Sequence, residues 1–123
     1  PEELAVMLPT DCWSTARVDL AMSGGITPIL KITNITTALG LGLELLAWGS
    51  PISTAATLQV SLGTGCGEYF EIAVPQQDFL IPSSQPLQVN PSGKVSSISK
   101  TGLGVDLDWQ ELEQTEPPLF DIW

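Results

Sequence analysis

Alternation of apolar and polar residues with period two is the strongest pattern in this sequence, and it favours extended chain with one buried face. Ala16, Val18, Leu20 and Met22 alternate with Arg17, Asp19 and Ala21, and a Ser23-Gly24-Gly25 turn follows. Residues 28–35 form a second β-rich run. Leu41, Leu43, Leu45 and Ala47 share one face of a third, with Glu44 opposite, Trp48 near its end and Gly49-Ser50-Pro51 as a break. Leu58, Val60 and Leu62 alternate with Thr57, Gln59 and Ser61, and Phe70, Ile72 and Val74 with Tyr69, Glu71 and Ala73. The glycine-rich stretch Gly63-Thr64-Gly65-Cys66-Gly67 between those two runs completes the pattern of a β-hairpin. Ser96 to Lys100 and the regular series Leu103, Val105, Leu107, Trp109 supply further strands. No segment of helical length shows apolar spacing of three and four. The sequence therefore predicts an all-β fold, an antiparallel β-sandwich or small β-barrel of jelly-roll or immunoglobulin-like type.

Length allows one domain. Residues 14–109 carry the predicted β-sandwich, 1–13 an irregular N-terminal arm, and 110–123 an acidic C-terminal arm with an apolar end. The last segment holds Glu111, Glu113, Glu116 and Asp121 without a balancing cation, then closes on Leu119, Phe120, Ile122 and Trp123. Those four, with Leu4, Met7 and Leu8 from the other end, are the candidate interface residues, because exposed apolar side chains are costly unless a partner receives them. No stretch reaches the ~20 apolar residues of a membrane span. Pro1-Glu2-Glu3-Leu4 lacks the basic start of a secretory signal. Cys12 and Cys66 are compatible with one disulfide or with two unpaired thiols.

Composition removes whole classes of chemistry. There is no histidine, so histidine-dependent triads and most zinc sites are excluded. Four Lys and Arg against fourteen Asp and Glu leave a net charge of −10, a poor match for nucleic acid or an anionic membrane. Ser97-Ile98-Ser99-Lys100 has the text of a Ser-x-x-Lys acyl enzyme, but strand geometry would send the two side chains to opposite faces. The glycine-rich stretch at 63–67 lacks the helix that a phosphate cradle requires. Asn34-Ile35-Thr36 is a glycosylation sequon, of consequence only in a secreted eukaryotic chain. Asp106 and Asp108 are the best polar pair: on a strand both carboxylates project to one side and could contribute to a Ca²⁺ site, or serve as acid and base in a small hydrolase. A solvated acidic face is the simpler explanation of the pair, because acidic side chains are mostly exposed.

An acidic β-domain rich in Thr, Ser and Gly, without a catalytic constellation and flanked by apolar arms, resembles the decoration (cement) proteins of virus and phage capsids. That resemblance implies a non-enzymatic structural subunit without cofactor, a dimer or trimer that binds a protein assembly such as a capsid shell at the virion surface or in another extracellular assembly. The alternative expectation is an extracellular carbohydrate-binding module or adhesin, Ca²⁺-dependent through Asp106 and Asp108.

Overall fold

The computed structural model describes residues 2–11, 13–81, 86–96 and 99–115. Its centre is a β-α-β-α unit: β1 (Thr15–Asp19), α2 (Ile26–Ala38), β2 (Gly42–Leu46) and α3 (Pro51–Thr64). A short helix, α1 (Glu2–Met7), and a 3-10 turn at Leu8–Thr10 precede the unit; a second 3-10 turn at Gln76–Phe79 and the helix α4 (Trp109–Thr115) follow it. The two strands pair in parallel, with Ala16 opposite Leu43, Arg17 opposite Glu44 and Val18 opposite Leu45. A parallel pair needs a long crossover, and α2 with its flanking turns supplies it.

The alternation seen in the sequence is real in both strands. Ala16, Val18 and Leu20 from β1 and its exit join Leu43 and Leu45 from β2 in one apolar cluster with Ile29 and Ile32 of α2 and Ala56 and Val60 of α3. Leu8 enters the same cluster, and Leu4 packs against it. Both helices thus cover one face of the sheet. The opposite face presents Thr15, Arg17, Asp19, Glu44 and Leu46, none of them buried. Gly42 fits because it is a glycine: a Cβ there would lie 2.7 Å from Thr15 Oγ1.

Local sequence explains each boundary. The Asp19 carboxylate accepts the Met22 amide at 2.7 Å, and Gly25 enters α2 at φ 101°, a conformation costly for other residues. The helix ends where Gly40 adopts φ 68° and the Leu41 amide donates back to the Thr36 carbonyl at 2.9 Å, the bond pattern of a Schellman stop. Helix α3 starts with Ser50 accepting from the Ser53 amide and with Pro51 in the first turn, and it stops at Gly65.

This architecture corrects the all-β expectation. The described chain is mixed α/β with a two-stranded parallel sheet, and no antiparallel sandwich, jelly roll or immunoglobulin-like barrel is present among the described residues. Residues 28–35 lie in α2 and 58–62 in α3; Gly65 is a helix cap rather than part of a hairpin turn. Residues 70–74 and 103–108 are in no strand, Trp109 opens a helix, and one isolated antiparallel bridge joins Val89 to Val95. Threonine and isoleucine caused the error in α2. Their β-branched side chains favour strands intrinsically, yet Ile29, Ile32 and Thr36 stack at helical spacing into the core, and burial outweighs a propensity difference of a few tenths of a kcal/mol per residue. In α3 the near-continuous burial from Ala55 to Leu58, with Val60 beyond, masks the helical period.

Met22, placed on the buried face by simple alternation, is 88% exposed because the strand has already ended, whereas Ile32 is 1% exposed. Ile32→Ala should therefore cost about 2–5 kcal/mol in denaturant unfolding, and Met22→Ala no more than about 0.5 kcal/mol. Equal costs would contradict this packing.

Candidate functional site

Parallel strands bring their C-terminal ends to the same edge of the sheet, the edge at which open α/β sheets and α/β barrels place their ligands. Beyond β2, Ala47 is held from both sides: the Thr54 hydroxyl of α3 donates to its carbonyl at 3.3 Å, and its amide donates to Glu71 Oε2 at 3.4 Å. The other Glu71 oxygen accepts from Arg17 Nη2 of β1 at 2.6 Å. The Trp48 indole is close enough to help hold this carboxyl ionised, and its ring stands edge-on to Phe79 with centroids 5.7 Å apart. One carboxylate thus ties the middle of β1 to the chain just beyond β2.

The chain that carries Glu71 follows β2. The Glu68 amide donates to Glu44 Oε1 at 2.9 Å and the Ala47 amide to Glu71, an offset of 24 residues at both points, so residues 68–71 advance in the direction of β2. Gly67, at φ 85°, makes the approach: a Cβ on it would lie 3.2 Å from Glu44 Oε2.

Electrostatics at Glu71 are a balance. Desolvation is the largest single influence and pushes the carboxyl upward, but hydrogen bonds from Arg17, Trp48 and the Ala47 amide, with the guanidinium charge, together bring it below the ordinary value of 4.5. Glu71 is accordingly an ionised acceptor at neutral pH. Its partner Arg17 keeps a side chain 58% exposed and, among the described residues, bonds to no other group. The guanidinium carries further N–H donors beyond the one that Glu71 takes.

A sequence profile of the enolase C-terminal domain-like family matches residues 1–111. The chain belongs to this family. A crystal structure of a candidate mandelate racemase/muconate lactonizing enzyme from Pseudovibrio sp. superimposes with a TM-score of 0.86 at 30% identity, over 92% of this chain. The chain spans 30% of that protein's length. No curated protein matches the sequence.

Family and fold overturn the expectation of a capsid decoration protein, and with it those of a non-enzymatic virion subunit and of a carbohydrate-binding adhesin: the chain is a member of an enzyme superfamily. The residues singled out from the sequence lie elsewhere. Leu119, Phe120, Ile122 and Trp123 fall outside the described residues. Leu8 is buried and Leu4 packs on the core, while Met7 is half exposed. Asp106 is paired with Lys100, and Asp108 accepts the Glu111 amide at 3.0 Å near the start of α4. Among the described residues, no three His, Cys, Asp or Glu side chains converge to hold a metal ion. Cys66 packs against the core and Cys12 lies outside the described residues.

Arg17 and Glu71 carry no site signal in the sequence, where each has an ordinary role as an outward polar residue of a strand, and Trp48 reads there as a strand-end aromatic. The available signal was spacing. The alternating runs at 16–20 and 43–47 are separated by about the length of a β-α-β unit, with paired glycines at the start of the intervening segment.

Because the folded carboxyl of Glu71 lies below its unfolded value, its contribution to stability is present above the unfolded value and lost as pH falls through the folded one. Arg17→Met removes two of the lowering influences and leaves desolvation less opposed. Carboxyl ¹³C shifts should then show Glu71 titrating at higher pH in the variant than in the wild type; an unchanged midpoint would show that Arg17 does not hold it.

Proposed function

We propose that this chain contributes part of the reaction site of an enolase-superfamily enzyme acting on a carboxylic acid, with the site at the C-terminal ends of β1 and β2. The observation that carries this reading is Glu71, a carboxylate held by the Ala47 amide just beyond β2 and by the side chain of Arg17 from the middle of β1, a guanidinium with donors to spare. Mandelate and muconate, the acids in the name of the Pseudovibrio protein, are both carboxylates, and a guanidinium is the side chain best shaped to receive one.

Enzymes of this superfamily use a Lys or His base with Mg²⁺ to stabilise an enediolate. The residues of this segment do not by themselves provide either part. The sequence has no histidine, and none of its three lysines is in β1, β2 or the 67–73 run. Its contribution is positioning: Glu71 orients Arg17, Arg17 holds the substrate carboxylate, and the Trp48 indole, set edge-on against Phe79, walls the site.

The test is exchange of the proton next to the carboxylate. With Mg²⁺ in D₂O, the intact protein should wash that proton out of at least one member of a panel of 2-hydroxy and sugar acids, followed by ¹H NMR. Arg17→Met should lower kcat/KM by about 10²–10³-fold, the scale of losing one preorganised donor, with Glu71→Gln producing a smaller loss. Absence of exchange across the panel, or full activity in both variants, would contradict the assignment.

A further inference from the structure

A cavity of about 520 Å³ lies beyond Ala47, walled by the loop after β2, the first turns of α3, and the segments around residues 72–80, 86–96 and 104–106. Its size falls within the range of small-molecule sites. Ile72, Phe79, Leu87 and Val105 give it apolar sides. Two of the chain's four cationic residues, Lys94 and Lys100, line it, although the net charge is −10. Lys100 is neutralised by Asp106. The Lys94 ammonium, by contrast, has no carboxylate partner among the described residues.

The walls are tied in place. The Gln76 side chain clamps Leu87 at both ends, its Oε1 accepting the Leu87 amide at 2.9 Å and its Nε2 donating to the Leu87 carbonyl at 3.2 Å. Asn90 organises the turn that presents Lys94: its side-chain oxygen accepts the amides of Ser92 and Lys94 at 3.0 and 2.9 Å, and its own amide donates to the Lys94 carbonyl at 2.9 Å. The Val89–Val95 bridge closes the base of that turn. An unpaired cation on a fixed turn, at the mouth of an apolar cavity, is the arrangement that selects an organic anion over a neutral molecule of the same shape.

We infer that the cavity receives the remote end of the substrate, an apolar group ending in an anion held by Lys94. This deepens the assignment of the strand ends as the reaction site and rests on it, since Ala47 belongs both to the cavity wall and to the Glu71 contact. Lys94 is then a specificity residue and takes no part in the chemistry at Arg17.

Calorimetric titration of the Arg17→Met protein, in which the guanidinium can no longer take the carboxylate, with 4-phenylbutyrate and with the neutral 4-phenylbutyramide separates the two claims. The acid should bind roughly five- to tenfold more tightly than the amide, and Lys94→Met should remove that difference while leaving amide binding unchanged. Val105→Trp, which fills the cavity, should abolish binding of both. Glu71→Gln should keep the preference for the acid, so that a failure of the strand-end chemistry would leave this result standing. Equal affinity for acid and amide, a preference that survives Lys94→Met, or no binding of either compound would overturn the inference.

Discussion

The proposed site rests on the parallel pairing of β1 with β2. Parallel strands must be joined by a crossover, and here α2 returns across one face and buries Ile29 and Ile32 against the sheet. The same constraint sends both strand ends to one edge. Arg17, opposite Glu44 in the middle of the pair, lies three residues short of Ala47 along the sheet, and the Glu71 carboxylate meets both.

The two faces of the sheet have different tasks. Ala16, Val18, Leu43 and Leu45 are buried under the helices and hold the unit together. On the other face, Arg17, Glu44 and the 67–71 run make hydrogen bonds and an ion pair that position groups more than they stabilise the fold. The Arg17–Glu71 pair is partly exposed, with side chains 58% and 31% accessible, so its stabilising effect is modest. In the proposed site its importance lies in holding a guanidinium and a carboxylate together beside the end of β2.

Little of this beyond the two strands is legible in the sequence, which points to an all-β fold and away from an enzyme family. Alternation at 16–20 and 43–47 correctly marked the two strands and the residues they bury. Alternation at 58–62 misled: Leu58 and Val60 are buried in a helix whose inward side is wide, and Leu62 is half exposed. The Ile- and Thr-rich stretch at 26–37 favours strand locally and becomes helix because tertiary packing rewards Ile29, Ile32 and Thr36 on one side. Glu71 could not be found from neighbours in sequence, since its partners Arg17 and Ala47 are 54 and 24 residues away. The acidic pair at Asp106 and Asp108 attracted notice because it was local, and its members instead meet a lysine and a backbone amide.

The most direct test of this account is a double-mutant cycle on Arg17 and Glu71. It compares the unfolding free energies of the wild type, Arg17→Met, Glu71→Gln and the double variant at neutral pH and low salt. Contact between the two side chains predicts a coupling of about 0.5–1 kcal/mol that shrinks as salt is raised. Single changes that add to within about 0.3 kcal/mol at every salt concentration would show that the two side chains do not meet, and would remove the site built on them.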